Sequence, residues 1–192
     1  LTINGNVTGG SGWYAPGACN DGTGTLTING NVTGGETEAH GAVNNNTGTL
    51  TITGAVTGGS EWGAAGAYNT GTGTITINGN ATGGSAESAH GAYNYGTGTI
   101  TIYTGLVTGG SGSGAHGAYN QTTGTLTING DVTGGSATDA DGAWNQSTGA
   151  ITITGAVTGG SAANAYGARN NGIGTLTITG AVTGGSVSSA HG

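Results

Sequence analysis

One segment of about 25 residues recurs along the whole chain. Its copies begin at residues 1, 26, 50, 75, 100, 126, 151 and 176, so successive starts are 24 to 26 residues apart. A fixed period of about 20 to 50 residues is typical of solenoids, in which each repeat buries its apolar side only by stacking on its neighbours. The 192 residues hold roughly 7.7 such repeats. We therefore expect a single repeat domain over residues 1–192.

Composition favours an ordered stack over a disordered low-complexity chain. Glycine supplies 47 residues and proline one, but only 5% of the residues are charged. Low-complexity segments that stay unfolded usually combine low hydrophobicity with high charge. A strictly periodic chain with so few charges instead favours β-strands stacked rung on rung.

Three segments within each repeat have the pattern of short strands. In Thr25-Leu26-Thr27-Ile28, apolar residues alternate with threonine, which predicts a strand with Leu26 and Ile28 inward and the threonines outward. A second strand around Val32 follows Gly30, where we expect a corner at positive φ, as at the equivalent glycines of the other repeats. The third segment reads Ala-x-Gly-Ala-x-Asn, and its small residues predict that opposite walls of the fold approach closely.

These segments together predict an all-β, single-domain parallel β-helix, or β-solenoid. With one repeat per rung, the rod would be on the order of 37 Å long. Tyr103 is an extra residue after Ile102, and it predicts a β-bulge. Neither end of the chain carries a distinct polar capping sequence, so we expect a window of a longer array or a subunit that stacks end to end.

Two columns of side chains recur in the third segment. Its asparagine predicts a structural ladder, in which each amide bonds the copies above and below. The ladder comprises Asn20, Asn44, Asn69, Asn94, Asn120, Asn145 and Asn170. The preceding position is aromatic on four successive rungs, at Tyr68, Tyr93, Tyr119 and Trp144. Stacking along this aromatic column would stabilise the rod, and a platform for pyranose rings is the alternative interpretation.

The charge balance argues against several functional classes. Eight acidic residues accompany the single Arg169, giving a net charge of −7. Such a surface cannot neutralise phosphates, so we expect no nucleic-acid partner, and no apolar run is long enough for membrane insertion. The acidic residues are scattered over loops and corners, whereas catalysis needs titratable groups that converge in a pocket. We therefore expect neither an enzyme nor a cofactor.

The histidines share one repeat position. His40, His90, His116 and His191 alternate there with Pro16, Ala65, Asp141 and Tyr166. A position that accepts this range of residues is expected to face solvent. Two exposed histidines on adjacent rungs would hold a metal ion only weakly, so we expect no metal site.

The outward threonines form the largest candidate binding face. Ranks such as Thr23-Gly24-Thr25-Leu26-Thr27 place hydroxyls about 6.7 Å apart along a strand and about 4.8 Å apart between rungs. The face comprises Thr23, Thr25, Thr27, Thr49, Thr51, Thr72, Thr74, Thr76, Thr97, Thr99, Thr101, Thr123, Thr125 and Thr127. These ranks resemble the ice-binding faces of β-solenoid antifreeze proteins, in which spaced threonines order water. Asparagines in a neighbouring column, Tyr103, Ala150 and Ile173 depart from that pattern.

The whole repeat Gly-Thr-Leu-Thr-Ile-Asn-Gly-Asn-Val-Thr-Gly-Gly also resembles the repeats of bacterial autotransporter and filamentous adhesin passengers. This resemblance implies a non-enzymatic protein, extracellular or at the cell surface, that serves as a structural fibre, stalk or adhesive surface. Its expected partners are copies of itself, stacked head to tail. An ice-binding protein that uses the threonine face is the alternative, and a carbohydrate-binding surface for glycans is the second alternative.

Overall fold

Each turn of the chain contributes one short strand to each of three parallel sheets. The computed structural model describes residues 1–186 and residue 192, so the expected repeat positions at Ala190 and His191 lie outside the described residues. The stacked turns, with about 25 residues each, form a parallel β-solenoid, which confirms the predicted fold class. The described residues form no helix that is long and apolar enough to span a membrane.

The three sheets follow the three segments of the repeat. Sheet A contains β1 (Thr2–Ile3), β4 (Thr25–Ile28), β7 (Thr49–Ile52), β10 (Thr74–Ile77), β13 (Thr99–Ile102), β16 (Thr125–Ile128), β19 (Ala150–Ile153) and β22 (Thr175–Ile178). Sheet B contains β2 (Val7–Thr8), β5 (Val32–Thr33), β8 (Val56–Thr57), β11 (Ala81–Thr82), β14 (Val107–Thr108), β17 (Val132–Thr133), β20 (Val157–Thr158) and β23 (Val182–Thr183). Sheet C contains β3 (Ala18–Asn20), β6 (Ala42–Asn44), β9 (Ala67–Asn69), β12 (Ala92–Asn94), β15 (Ala118–Asn120), β18 (Ala143–Asn145) and β21 (Ala168–Asn170).

The core lies between the three sheets and repeats on every rung. On the fourth rung, Ile75 and Ile77 of sheet A, Ala81 of sheet B and Ala92 of sheet C are fully buried in one apolar cluster. The threonines that alternate with these isoleucines are half-buried on the outer side of the sheet. The predicted alternation of inward Leu or Ile with outward Thr is therefore confirmed.

The extra residue Tyr103 lies outside the strands, so the predicted bulge is wrong. β13 pairs with β16 residue for residue, from Thr99 opposite Thr125 to Ile102 opposite Ile128. Tyr103 begins the turn that follows β13, and its ring is exposed. A turn absorbs an added residue without breaking the ladder of hydrogen bonds, which is why the register continues unchanged.

The corner glycines are needed for a reason other than the predicted positive φ. Gly5 has a φ of 149°, but neither Gly30 nor Gly54 is among the described residues with positive φ. A Cβ on Gly30 would overlap the backbone of Gly5 in the preceding rung, and a Cβ on Gly54 would overlap Gly30 in the same way. Because parallel rungs lie only about 4.8 Å apart, close backbone approach selects glycine at this corner.

Sheets B and C converge at the Thr-Gly-Gly segment. A Cβ on Gly83 would overlap the carbonyl oxygen of Ala89 across the same rung. The next residue, Gly84, donates its N–H to the carbonyl of Ala64 in the preceding rung at 2.8 Å, and the same bond recurs on neighbouring rungs. Two glycines in sequence therefore let the walls meet, as the small residues of the third segment predicted.

A column of left-handed residues precedes the first alanine of the third segment. Its members have φ between 44° and 71° and are Tyr14, Glu38, Gly63, Ser88, Gly114, Asp139 and Asn164. A side chain in this conformation costs roughly 1–2 kcal/mol, and only glycine adopts it freely. The loop sequence varies among rungs, but the left-handed φ at this one position does not.

Substitutions in this column are expected to change stability in opposite directions. Ser88→Gly should raise the free energy of unfolding by about 0.5 kcal/mol, because glycine relieves the strained φ. Gly114→Val should lower it by about 2 kcal/mol, because a β-branched residue fits this region worst. Chemical denaturation measures both changes. Ser113→Thr is the control, since Thr138 already occupies the equivalent position on the next rung, and equal effects of Gly114→Val and Ser113→Thr would contradict the account.

Candidate functional site

Sheet A places the predicted threonine face in straight columns. One column pairs Thr27, Thr51, Thr76, Thr101 and Thr127 in register, and the next pairs Thr25, Thr49, Thr74, Thr99 and Thr125. A third rank lies in the turns before the strands, where Thr23, Thr72, Thr97 and Thr123 are exposed. The result is an uncharged surface whose hydroxyls and methyl groups repeat in two directions.

The asparagines of sheet C point inward and bond along the rod. Six of them are buried, from Asn20 to Asn145, whereas Asn170 on the last of these rungs is exposed. The amide of Asn69 donates to Gly73 O at 3.3 Å and to Asn94 Oδ1 on the next rung at 3.1 Å. The same pair of bonds links Asn120 to Gly124 and Asn145. Each amide thus satisfies one turn carbonyl and connects two rungs.

The asparagine ladder has two interruptions within the described chain. Asn20 donates to Thr49 O, and Asn94 donates to Thr125 O, instead of bonding the next asparagine. The oxygens that these bonds would have reached, Oδ1 of Asn44 and of Asn120, are buried without a hydrogen-bond partner among the described residues.

The aromatic column of sheet C is a continuous stack. Ring centroids are 4.9 Å apart from Tyr68 to Tyr93, 5.0 Å from Tyr93 to Tyr119 and 4.7 Å from Tyr119 to Trp144, with interplanar angles of 23° or less. The Arg169 guanidinium closes one end, 3.8 Å from the Trp144 ring centroid. Because each ring covers its neighbour's face, the column presents edges and hydroxyls to solvent. This geometry weighs against these four rings as a stacking platform for sugars.

The histidine position is buried, so the expectation that it faces solvent is wrong. His40, His90 and His116 are 8%, 5% and 4% exposed, and Asp141 is fully buried. Each supplies an acceptor for the backbone N–H at the same position on the next rung. His90 Nδ1 accepts from His116 N at 3.2 Å, and His116 Nδ1 accepts from Asp141 N at 3.0 Å. Accepting at Nδ1 fixes these imidazoles as neutral rings that carry their proton on Nε2.

The protonation of this column follows from its burial. Burial lowers the pKa of His40 to about 4 and that of His90 to about 3, and it also lowers the pKa of His116, which the neighbouring His90 and Arg169 depress further. Burial raises the pKa of Asp141 to about 6, although Arg169 Nη2 lies 2.8 Å from its Oδ2 and opposes the shift. The column therefore contains neutral imidazoles ending in one ion pair.

We expect this column to make the fold acid-sensitive below about pH 6.5. The folded-state pKa of His40 is about 4, and its unfolded-state pKa is about 6.5. Between these pH values the unfolded chain binds more protons than the folded chain. The contribution of His40 to the free energy of unfolding is therefore fully present above pH 6.5 and decreases by about 3 kcal/mol as the pH falls to 4. Asp141 acts in the opposite sense between about pH 6 and its ordinary value of 3.8, because the folded state binds the proton first.

Urea unfolding of His40→Ala across this pH range tests the acid sensitivity. Alanine is compatible with the position, since Ala65 occupies it on the next rung. The variant should be less stable than the original chain at pH 7, and the two stability curves should converge near pH 4. Parallel curves would show that His40 is not buried as a neutral ring.

A shallow groove runs the length of the rod beside sheet B, and sequence reasoning missed it. It holds about 1290 Å³ and is lined by the Thr-Gly-Gly-Ser segment of each rung, with Glu36 in place of one serine. Serine hydroxyls at one side bond rung to rung, as from Ser85 Oγ to Ser60 O at 3.0 Å and from Ser111 Oγ to Ser85 O at 2.7 Å. The unbroken recurrence of Thr-Gly-Gly was the available signal, but it indicated only the end of a strand.

No group of three or more His, Cys, Asp or Glu residues in the described part of the chain is arranged to hold a metal ion. Three surfaces of the rod are candidates for binding: the threonine face, the groove beside sheet B and the side of sheet C that carries the aromatic column. Comparison of the chain with protein-family models, with curated proteins and with solved structures finds no match.

Proposed function

We propose that this β-solenoid is a non-enzymatic structural protein, extracellular or at the cell surface, that serves as a fibre, stalk or adhesive surface. The observation that carries the proposal is the direction of the hydrogen bonds between rungs of the solenoid. All three sheets, the asparagine amides and the serine hydroxyls join each rung to the next along one axis. The resemblance of the repeat to adhesin passengers supports the cell-surface setting.

Repetition of the same interface suits a load-bearing rod. The stability of a solenoid is approximately a sum of repeat and nearest-neighbour terms. Here each interface reuses the same contacts, such as Ile75 over Leu50 and Asn94 over Asn69. Tension or bending along the axis is then shared among interfaces that are built in nearly the same way.

Copies of the same chain are the proposed partners. Strands β1 and β22 lie at the two outer edges of sheet A, and the open edge of a parallel sheet is a template for another strand. End-to-end association would continue the three sheets from one molecule to the next.

Edge substitutions test this association. Ile178 lies on the inner side of β22 and packs against the core cluster, so Ile178→Lys places a charge in the seam between two molecules. Such inward charges block edge pairing. Analytical ultracentrifugation should show concentration-dependent association of the original chain and of the control Thr177→Lys, but not of Ile178→Lys. A monomer at every concentration would contradict the proposed stacking.

Ice binding is the second candidate, and the register of the threonine columns favours it. Hydroxyls spaced about 4.8 Å by about 6.7 Å form a regular two-dimensional array on an uncharged sheet. Thr76→Lys or Thr101→Lys should abolish ice shaping and thermal hysteresis without unfolding the rod. Thr108→Lys, on sheet B, is the matched control. Absence of ice shaping by the original chain would remove this candidate.

A further inference from the structure

A cleft of about 460 Å³ opens beside the aromatic column, between the loops of the first four rungs. Its volume lies within the range of small-molecule sites, about 300–1,000 Å³. The cleft is lined by side chains from several rungs, including Glu38, Trp62, Tyr93 and Gln121. Several of its residues belong to columns that recur along the rod, but among the described residues the cleft is the place where Glu38 and Trp62 lie beside the tyrosine column.

The inner wall of the cleft presents ring edges and hydroxyl groups. Tyr68 is covered by His40 at 4.3 Å on one side and by Tyr93 at 4.9 Å on the other. Tyr93 lies in turn between Tyr68 and Tyr119. The Tyr93 hydroxyl donates to Gln121 Oε1, which leaves the amide nitrogen of Gln121 as a donor toward the cleft. Stacked rings therefore offer hydrogen-bonding groups here, while their π-faces are occupied.

The outer wall supplies an indole. Trp62 is 59% exposed and precedes Gly63, one of the left-handed loop residues. Tyr14, 44% exposed, lines the cleft from the first rung and meets the His40 ring edge-on at 5.9 Å. The cleft thus combines an exposed flat apolar surface with a row of polar groups.

The charge of the cleft comes from one carboxylate. Glu38 lines it with its backbone held at a φ of 44°. The two histidines in the lining are neutral, because burial lowers the pKa of His40 to about 4 and that of His90 to about 3. Nothing in the lining therefore compensates the charge of an anionic ligand.

We propose that this cleft binds a neutral oligosaccharide, with one sugar ring against Trp62 and its hydroxyls bonded to Glu38, Gln121 and the tyrosine hydroxyls. A sugar ring has an apolar face, which can pack on the indole of Trp62, and a rim of hydroxyl groups, which can bond to the polar inner wall. A carboxylate and an amide accept from and donate to sugar hydroxyls. An organic cation could stack on Trp62 as well, but it would leave the hydroxyl and amide groups of the inner wall without hydrogen-bond partners. This site does not depend on whether the rods assemble end to end.

Binding to defined oligosaccharides tests the proposal on the intact chain. The probes are chitotetraose, mannotriose, lactose and cellotetraose, with tetramethylammonium as the cation comparison and heparin as the anion comparison. Isothermal titration should detect at least one neutral oligosaccharide. Trp62→Ala and Glu38→Gln should each weaken that binding by about tenfold.

Matched controls are available in the same loops. Trp13 occupies the equivalent of Trp62 two rungs earlier, is 76% exposed and lies outside the cleft, so Trp13→Ala should leave affinity unchanged. Glu61→Gln is the corresponding control for Glu38→Gln. Circular dichroism of each variant checks that the rod is folded. Absence of binding to every neutral oligosaccharide, a preference for tetramethylammonium or heparin, or equal effects of Trp62→Ala and Trp13→Ala would each overturn the proposal.

Discussion

Gly84→Ala is expected to destabilise the solenoid by about 4 kcal/mol or more, in the range reserved for severe steric or core defects. An added Cβ would overlap the carbonyl oxygen of Gly59 in the preceding rung. The backbone alone sets the positions of this Cβ and of the oxygen, and Gly84 is held by its hydrogen bond to Ala64 O, so no side-chain rotation can relieve the overlap. Urea unfolding measures the loss, and hydrogen exchange should locate it between the third and fourth rungs, because the stability of a solenoid resides in nearest-neighbour interfaces.

Gly10→Ala is the matched control for this substitution. Gly10 is the same repeat position on the first rung, and a Cβ there meets nothing within 4 Å. The control should change the free energy of unfolding by less than about 0.5 kcal/mol. Similar losses for Gly10→Ala and Gly84→Ala would mean that the glycine is needed for chain flexibility and not for the close approach of rungs.

Arg169→Ala is expected to cost about 3 kcal/mol at pH 7, because it leaves the buried carboxylate of Asp141 without its charged partner. Arg169 Nη2 lies 2.8 Å from Asp141 Oδ2, and the same guanidinium covers Trp144. Since burial raises the pKa of Asp141 to about 6, the cost should be smaller at pH 5, where the carboxyl is protonated. Thermal unfolding at both pH values measures this difference.

The double variant Arg169→Ala/Asp141→Ala separates the charge effect from lost packing. Alanine at the position of Asp141 has a precedent in Ala65. The double variant should be more stable than Arg169→Ala alone at pH 7, and its stability should depend less on pH. A double variant that is less stable than both single variants would contradict the assignment of an unpaired buried charge.

The sequence predicted the core because its pattern has one physical cause. Inward positions such as Leu50 and Ile77 must fill the same narrow space on every rung, so only Leu or Ile occurs there. The inward asparagines were identifiable for the same reason, since Asn69 and Asn94 each donate to the glycine carbonyl four residues further along the chain. Recurrence of one residue type within the chain therefore predicts burial well at positions that have the same surroundings on every rung.

Recurrence of residue types predicts burial poorly at a position where different side chains are buried on different rungs. The position of His90 holds residues from alanine to tyrosine, and this variety suggested exposure to solvent. Its histidines and aspartate share one property, an acceptor for the next backbone N–H, which His116 Nδ1 and Asp141 Oδ1 both provide. After Ala65, which has no such acceptor, His90 N keeps only its bond to Ser88 O, the equivalent of the bond from His116 N to Gly114 O. The hydropathy of the sequence does not show that histidine and aspartate can accept the same hydrogen bond at this position.

The cleft was beyond sequence reasoning because it depends on the alignment of neighbouring rungs. Glu38, Trp62 and Gln121 belong to loops or turns of different rungs, and only the stacking of those rungs brings them to one cavity. The loop backbone was similarly hidden, since Glu38 and Ser88 share a left-handed φ without sharing chemistry.

Electron microscopy of negatively stained protein over a range of concentrations tests the proposed structural role most directly. If rungs continue from one molecule to the next, concentrated samples should show unbranched filaments of constant width, and Ile178→Lys should shorten them to single rods. Separate short rods at every concentration, with the original chain and Ile178→Lys indistinguishable, would contradict a fibre formed by end-to-end stacking.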